Sequence, residues 1–166
     1  MMIIFSVVAL AAAASAPVSQ SLAVPADASL VLHAQGRGVQ IYVCAVQPDK
    51  PGRYDWRFVA PQADLFGPND ARIGRHYAGP TWEGADGGKV VGEVRAKASS
   101  PDPTAIDWLL LSAKSANGAG LLGSVSYVQR VNTIGGRAPA SGCSGANAGE
   151  ETRIPYSAEY DFYTSR

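Results

Sequence analysis

The sequence predicts an all-β, mostly antiparallel domain, and three observations carry that expectation. Apolar and polar residues alternate with a period of two in segment after segment, and Gly- and Pro-rich turns separate those segments. No long stretch carries the apolar spacing of an amphipathic helix. A single-domain β-sandwich and a small β-barrel both satisfy this pattern, with long Gly/Pro-rich loops and one disulfide.

The first strand is expected at Val39 to Val46, with Val39, Ile41, Val43 and Ala45 on one face and Gln40, Tyr42 and Cys44 on the other. Pro-Asp-Lys-Pro-Gly at 48–52 is turn chemistry. Tyr54, Trp56 and Phe58 then alternate with Asp55 and Arg57, so a hairpin is the simplest connection. The stretch Gly74 to Gly88 is read as a loop, because Gly79-Pro80, Gly84 and Asp86-Gly87-Gly88 surround its His, Tyr, Trp and Glu side chains. Lys89 to Lys97 alternates as a strand with one wet face.

Ser-Ser-Pro-Asp-Pro at 99–103 breaks the chain, and the segment after it has two readings. Ile106, Leu109, Leu110 and Ala113 fit helical spacing behind a Thr104 cap, whereas Trp108 to Leu111 is the short continuous apolar run of a strand buried on both faces. Its strand neighbours favour the strand. Val125, Tyr127, Gln129 and Val131 mark a further strand, and 135–149 is a long Gly/Ala/Ser loop that Cys143 tethers. In the last segment Ile154, Tyr156, Ala158, Tyr160 and Phe162 share one face and close the core. Pro155 denies it a ladder donor and suggests an edge or a bulge.

Met1 to Ala16 is apolar and too short for a comfortable membrane span, which reads as a signal peptide, although its start lacks Lys and Arg. Cleavage suits Ala14, Ala16 or Ala23. With Ala23 preferred, the expected organisation is a signal peptide over 1–23, removed on export, and one exported β domain over 24–166. A secreted protein, extracellular or periplasmic, follows. Cys44 and Cys143 would then meet an oxidising compartment and pair, closing a loop worth about 4 to 5 kcal/mol in the chain-entropy model. Lys and Arg number 14 and so do Asp and Glu, so neither nucleic acid nor an anionic membrane surface is an expected partner.

The chemistry-bearing residues concentrate in one place. His76, Tyr77, Trp82 and Glu83 lie within eight positions of each other and form the candidate ligand-binding set. Glu83 and His76 are the weak catalytic candidates, as an acid and base pair. Asp86, in Asp-Gly-Gly, is ordinary turn chemistry. His33 and His76 are the two imidazoles in the chain, so a three-histidine metal centre is excluded; a mixed site of His76 with Glu83 or Asp86 is available but lacks a spacing signature, and no metal or cofactor is expected. Gly118, Gly120 and Gly123 spell GxGxxG, but a strand pattern follows where a dinucleotide fold needs a helix. No GxSxG elbow is present. Trp56, Tyr77 and Trp82 could form a stacking platform, with core packing the competing role. Gln129-Arg130 could hydrogen-bond a ligand or brace the central loop, and bracing is the favoured role.

From about Leu32 to Tyr163 the chain resembles the secreted, uncharacterised domain-of-unknown-function 3455 family. The words that carry the resemblance include Gly38-Val39-Gln40-Ile41-Tyr42-Val43-Cys44, Pro61-Gln62-Ala63-Asp64-Leu65, His76-Tyr77-Ala78-Gly79-Pro80-Thr81-Trp82-Glu83 and Val128-Gln129-Arg130-Val131-Asn132-Thr133. The resemblance implies no established activity and assigns no catalytic residue. Asp107 stands before Trp108 where the pattern has a proline. A shorter likeness, in Tyr42-Val43-Cys44, an aromatic loop and a late cysteine, is to small periplasmic lysozyme inhibitors.

The expected function is a non-catalytic binding module for a glycan, a small ligand or a protein surface, acting through the 76–83 loop. The alternatives are a hydrolase-like enzyme using Glu83 and His76, a lysozyme-inhibitor-like protein, and a structural protein of an envelope or matrix.

Overall fold

The computed structural model describes residues 17–165, so Met1 to Ala16, the body of the expected signal peptide, lies outside the described residues. Eight strands form one antiparallel sheet that closes on itself as a barrel. They are β1 (Ala28–Gln47), β2 (Lys50–Phe66), β3 (Arg72–Tyr77), β4 (Thr81–Gly84), β5 (Lys89–Ala98), β6 (Trp108–Asn117), β7 (Tyr127–Gly135) and β8 (Glu151–Ser165). The all-β expectation holds, and the barrel decides between its two forms. Closure depends on the length of β1, which pairs with β2 from Gln35 to Gln47 and with β8 from Ala28 to Val43. One long strand thus joins both ends of the ladder, and neither terminal strand is left as an open edge.

The interior holds Trp82, Leu65, Val90, Leu111, Val128, Tyr160 and Phe162, with Ala34, Ala63 and Ala158 between them. Large rings fit because small residues face them: a Cβ at Gly36 would lie 2.5 Å from the Tyr160 ring. The 108–111 run is a strand, as its neighbours favoured, and it is buried on both faces. Leu111 packs inside the barrel, while Trp108 and Leu110 pack with Leu22 and Val131 in a second cluster. No helix precedes it, because the Asp102 carboxylate accepts from the backbone N–H of Thr104 at 2.8 Å and turns the chain.

Leu22 sits in the short 3-10 turn Gln20–Leu22 and is fully buried. Its carbonyl accepts the Gln129 amide at 2.7 Å. Gln129 therefore braces the N-terminal segment, while Arg130 holds the Asp107 carbonyl with two N–H donors at 3.1 and 2.7 Å.

Cys44 and Cys143 are disulfide-bonded, with Cα atoms 5.3 Å apart. The 135–149 loop is tied down at more points than its cysteine. The Trp56 indole donates to the Ser141 carbonyl at 2.9 Å, and Gly149 donates to the Cys44 carbonyl at 2.8 Å. Pro155 lies beyond Tyr156, where the pairing of β8 with β7 stops, so β8 has β1 alone as its neighbour there. The proline occupies the locally unpaired position its chemistry requires.

One end of the barrel is crossed by a tie between two turns. The Asp86 carboxylate accepts from Gly88 N–H at 3.1 Å and from Leu121 N–H at 3.0 Å, tying the β4–β5 turn to the 3-10 turn Leu121–Ser124. Leu122 and Val125 from that connection enter the core. Gly118, Gly120 and Gly123 belong to it, and the strand β7 follows rather than a helix. Gly118 has φ +92°, and a Cβ there would also meet the Gly87 carbonyl at 2.1 Å.

Candidate functional site

The stretch read as a loop is a hairpin. Its strands β3 and β4 pair with Arg75 opposite Glu83, His76 opposite Trp82, and Tyr77 opposite Thr81. Two features hid the strands: β3 and β4 have only six and four residues, and Gly74 occupies an inward position where an apolar side chain would have marked the alternation. The turn is Ala78-Gly79-Pro80, with a cis Gly79–Pro80 bond, and the Thr81 hydroxyl donates to the Ala78 carbonyl at 2.8 Å.

Alternation along these strands divides the four candidate residues. His76 and Trp82 point into the barrel, where each is almost completely buried. Tyr77 and Glu83 lie on the outer face. There the Tyr77 hydroxyl donates to Glu83 at 2.5 Å, and the Arg75 guanidinium contacts both carboxylate oxygens at 3.2 Å. The Tyr77 hydrogen bond, with Arg75 beside it, holds the Glu83 carboxyl below its usual range, and the same bond raises the Tyr77 phenol. Glu83 is therefore a committed surface anion.

Inside the wall, Nδ1–H of His76 donates to the Thr81 carbonyl at 2.8 Å. Burial pushes its pKa down to about 3; the Thr81 bond opposes this, and the Arg130 charge adds a smaller push downward. The imidazole is neutral at physiological pH, with Nε2 unprotonated. His76 and Glu83 consequently do not meet as an acid and base pair, and His76, Tyr77, Trp82 and Glu83 do not share a cavity. Nor do Trp56, Tyr77 and Trp82 make one platform, because Trp82 is in the core while Tyr77 is outside. Among the described residues no group of three or more His, Cys, Asp or Glu side chains is placed to hold a metal ion.

A concave feature of the molecule lies at the end of the barrel opposite the Asp86 tie. A cavity of about 820 Å³ opens there, between the β3–β4 turn, the 99–107 connection and the 137–138 segment. His76 and the turn residues Ala78, Gly79 and Pro80 contribute to its wall, so the highlighted stretch does border it. Most of its polar lining comes from elsewhere: Gln40 and Tyr42 of β1, and Arg130 of β7. Sequence reading passed over Gln40 and Tyr42 because a polar strand face ordinarily faces water. In this barrel that face points inward, and both residues are buried.

The rim is braced by several independent bonds. Tyr42 donates its hydroxyl to the Gly136 carbonyl at 2.6 Å, Thr133 donates to the Ile106 carbonyl at 2.6 Å, and Ile106 N–H donates to the Gly135 carbonyl at 2.9 Å. Such a mouth is largely preformed, with little ordering left for a ligand to cause. Burial raises the Tyr42, Tyr156 and Tyr160 phenols, against the opposing effect of Arg130 on each, so all three stay protonated.

A family model described as "Protein of unknown function (DUF3455)" matches residues 25–164. No curated protein and no solved structure matches this chain.

Proposed function

Because the chain belongs to the DUF3455 family, whose description assigns no activity, we propose a function from the barrel alone: non-catalytic binding of a small ligand in its open end. The carrying observation is the cavity of about 820 Å³, a volume within the ordinary range for small-molecule sites, at the end of the barrel opposite the Asp86 tie. Phe58, Val59 and Val94 stand exposed at its mouth although they are large and apolar. Gln40, Tyr42 and Arg130 add polar groups to an otherwise apolar stretch of lining, a mixture by which a pocket orients a ligand while burying most of its surface. The binding-module expectation is kept, and its place moves from the outer hairpin to the cavity behind it.

A hydrolytic role finds less support, since the neutral His76 and the ion-paired Glu83 occupy opposite faces of the wall. The disulfide fits an exported protein in an oxidising compartment.

Two-dimensional NMR of the disulfide-bonded chain against a panel of small glycans, neutral amphiphiles and small acids tests this reading. Shifts clustered on Gln40, Val59, Val94 and Leu109 are expected. A panel that perturbs none of them, or perturbs only the outer face at Tyr77 and Glu83, overturns it.

A further inference from the structure

The cavity contains a positive charge without a negative partner. Arg130 and Arg137 line it, as does Asp107. Arg137 takes the Asp107 carboxylate at 3.6 Å and the Ala105 carbonyl at 3.1 Å. Arg130 is half-buried and, among the described residues, makes no ion pair; its two hydrogen bonds go to the Asp107 backbone carbonyl. A guanidinium has five N–H donors, of which the Asp107 carbonyl takes two, and the Tyr160 hydroxyl faces the same group. His76 adds no charge, being neutral.

Gln40 supplies an independent observation. It is 2% exposed, and its side-chain nitrogen has no hydrogen-bond partner in the protein. The amide faces the Tyr156 hydroxyl without making a bond of normal geometry. An unsatisfied buried amide costs about 1 to 3 kcal/mol, and a half-buried guanidinium gains most from a charge-assisted, bidentate acceptor. Arg130 and Gln40 belong to one cavity whose mouth is apolar at Phe58, Val59 and Val94.

We propose that the cavity takes a monoanionic carboxylic acid with an apolar body. The carboxylate sits against the Arg130 guanidinium with the Gln40 amide as a further donor, and the body lies along Phe58, Val59 and Val94. This deepens the binding function proposed above and rests on it. The single unmatched guanidinium selects a monoanion, because a second negative charge would meet Asp107 at the rim without a second free cation. The apolar mouth disfavours a small hydrophilic acid, which would leave those side chains in water.

The test compares octanoate, octanamide and octylammonium by NMR titration of the disulfide-bonded chain at pH 7. Octanoate is expected to shift Gln40, Phe58, Val94 and Arg130 and to bind at least about tenfold more tightly than octanamide, with octylammonium weakest. Arg130→Gln should bring octanoate to the octanamide level, and Arg130→Lys should restore part of the difference. Equal affinity for the acid and the amide, or an Arg130→Gln chain that still prefers the acid, overturns the anion assignment. If neutral ligands alone shift the cavity residues, the small-ligand function stands and this assignment fails; if no ligand shifts them, both fail. Should Arg130→Gln not fold, the comparison of the three probes on the unmodified chain, with Gln40→Leu expected to weaken octanoate and spare octanamide, decides the question.

Discussion

The imidazole of His76 lies flat on the indole of Trp82, with ring centroids 4.4 Å apart and planes 10° from parallel. Tyr160 packs against both rings, at 5.2 and 5.6 Å. This aromatic layer lies between the open cavity, which His76 lines, and the packed interior, where Phe162 contacts Trp82 and Tyr160. Protonating His76 would place a cation in that layer with the Arg130 guanidinium acting against it.

Acidification should destabilise the fold in a window set by His76. Its folded pKa is depressed from 6.5 to about 3. As pH falls below 6.5, the unfolded chain binds a proton that the folded chain refuses. The corresponding stability is fully present above pH 6.5 and is lost at roughly 1.4 kcal/mol per pH unit down to about 3. Urea unfolding between pH 7 and 5 measures the slope, and His76→Gln should flatten it, with His33→Gln as the control histidine. An unchanged slope in His76→Gln would contradict the assignment.

Glu83 should be dispensable for ligand binding. Its carboxylate lies outside the barrel with Arg75 and Tyr77, so Glu83→Gln or Tyr77→Phe should leave cavity titrations unchanged and lower the melting temperature only slightly. A loss of ligand affinity in either variant would place the outer face in the site after all.

Breaking the disulfide should cost up to about 4.7 kcal/mol, the chain-entropy value for a loop whose ends are 99 positions apart. Denaturant unfolding with and without reductant measures it. Cys44→Ala with Cys143→Ala should reproduce the loss. Because Trp56 still holds the Ser141 carbonyl and Gly149 the Cys44 carbonyl, the loop should keep part of its hydrogen-exchange protection after reduction.

The N-terminal turn should matter to stability. A chain beginning at Val24, the product of cleavage after Ala23, lacks Leu22 and leaves the Gln129 amide without its acceptor. It should be less stable than a chain beginning at Pro17 by about 2 to 5 kcal/mol, the range for emptying a buried leucine site. Leu22→Ala in the longer chain should show a loss of the same order. Mass spectrometry of the chain expressed from Met1 would show which end is made, and a cut upstream of Leu22, rather than the preferred Ala23, is the expected result.

Strands with strong alternation were legible in advance. The run from Tyr156 to Phe162 buries its predicted face, and the 108–111 run is the doubly buried strand its composition suggested. The β3–β4 hairpin was not legible, because short strands containing Gly74 carry too few side chains to show a period. Gln40 was missed for another reason. A polar residue alternating with Val39 and Ile41 reads as solvent-facing, and only closure of the barrel makes that face line a cavity.

Local chemistry alone therefore determined much of this protein: an all-β class, a disulfide between Cys44 and Cys143, Asp86 as a turn residue, and a strand rather than a helix after the GxGxxG glycines. These follow from periodicity, turn propensity and the number of cysteines, which act within a few residues or by pairing. Tertiary structure decided which face is inside. Residues from β1, β3 and β7 become neighbours only when β8 closes onto β1, so the separation of His76 from Glu83 and the gathering of His76, Gln40 and Arg130 are properties of the closed sheet. Alternation shows that a strand has two faces; closure assigns one of them to the interior.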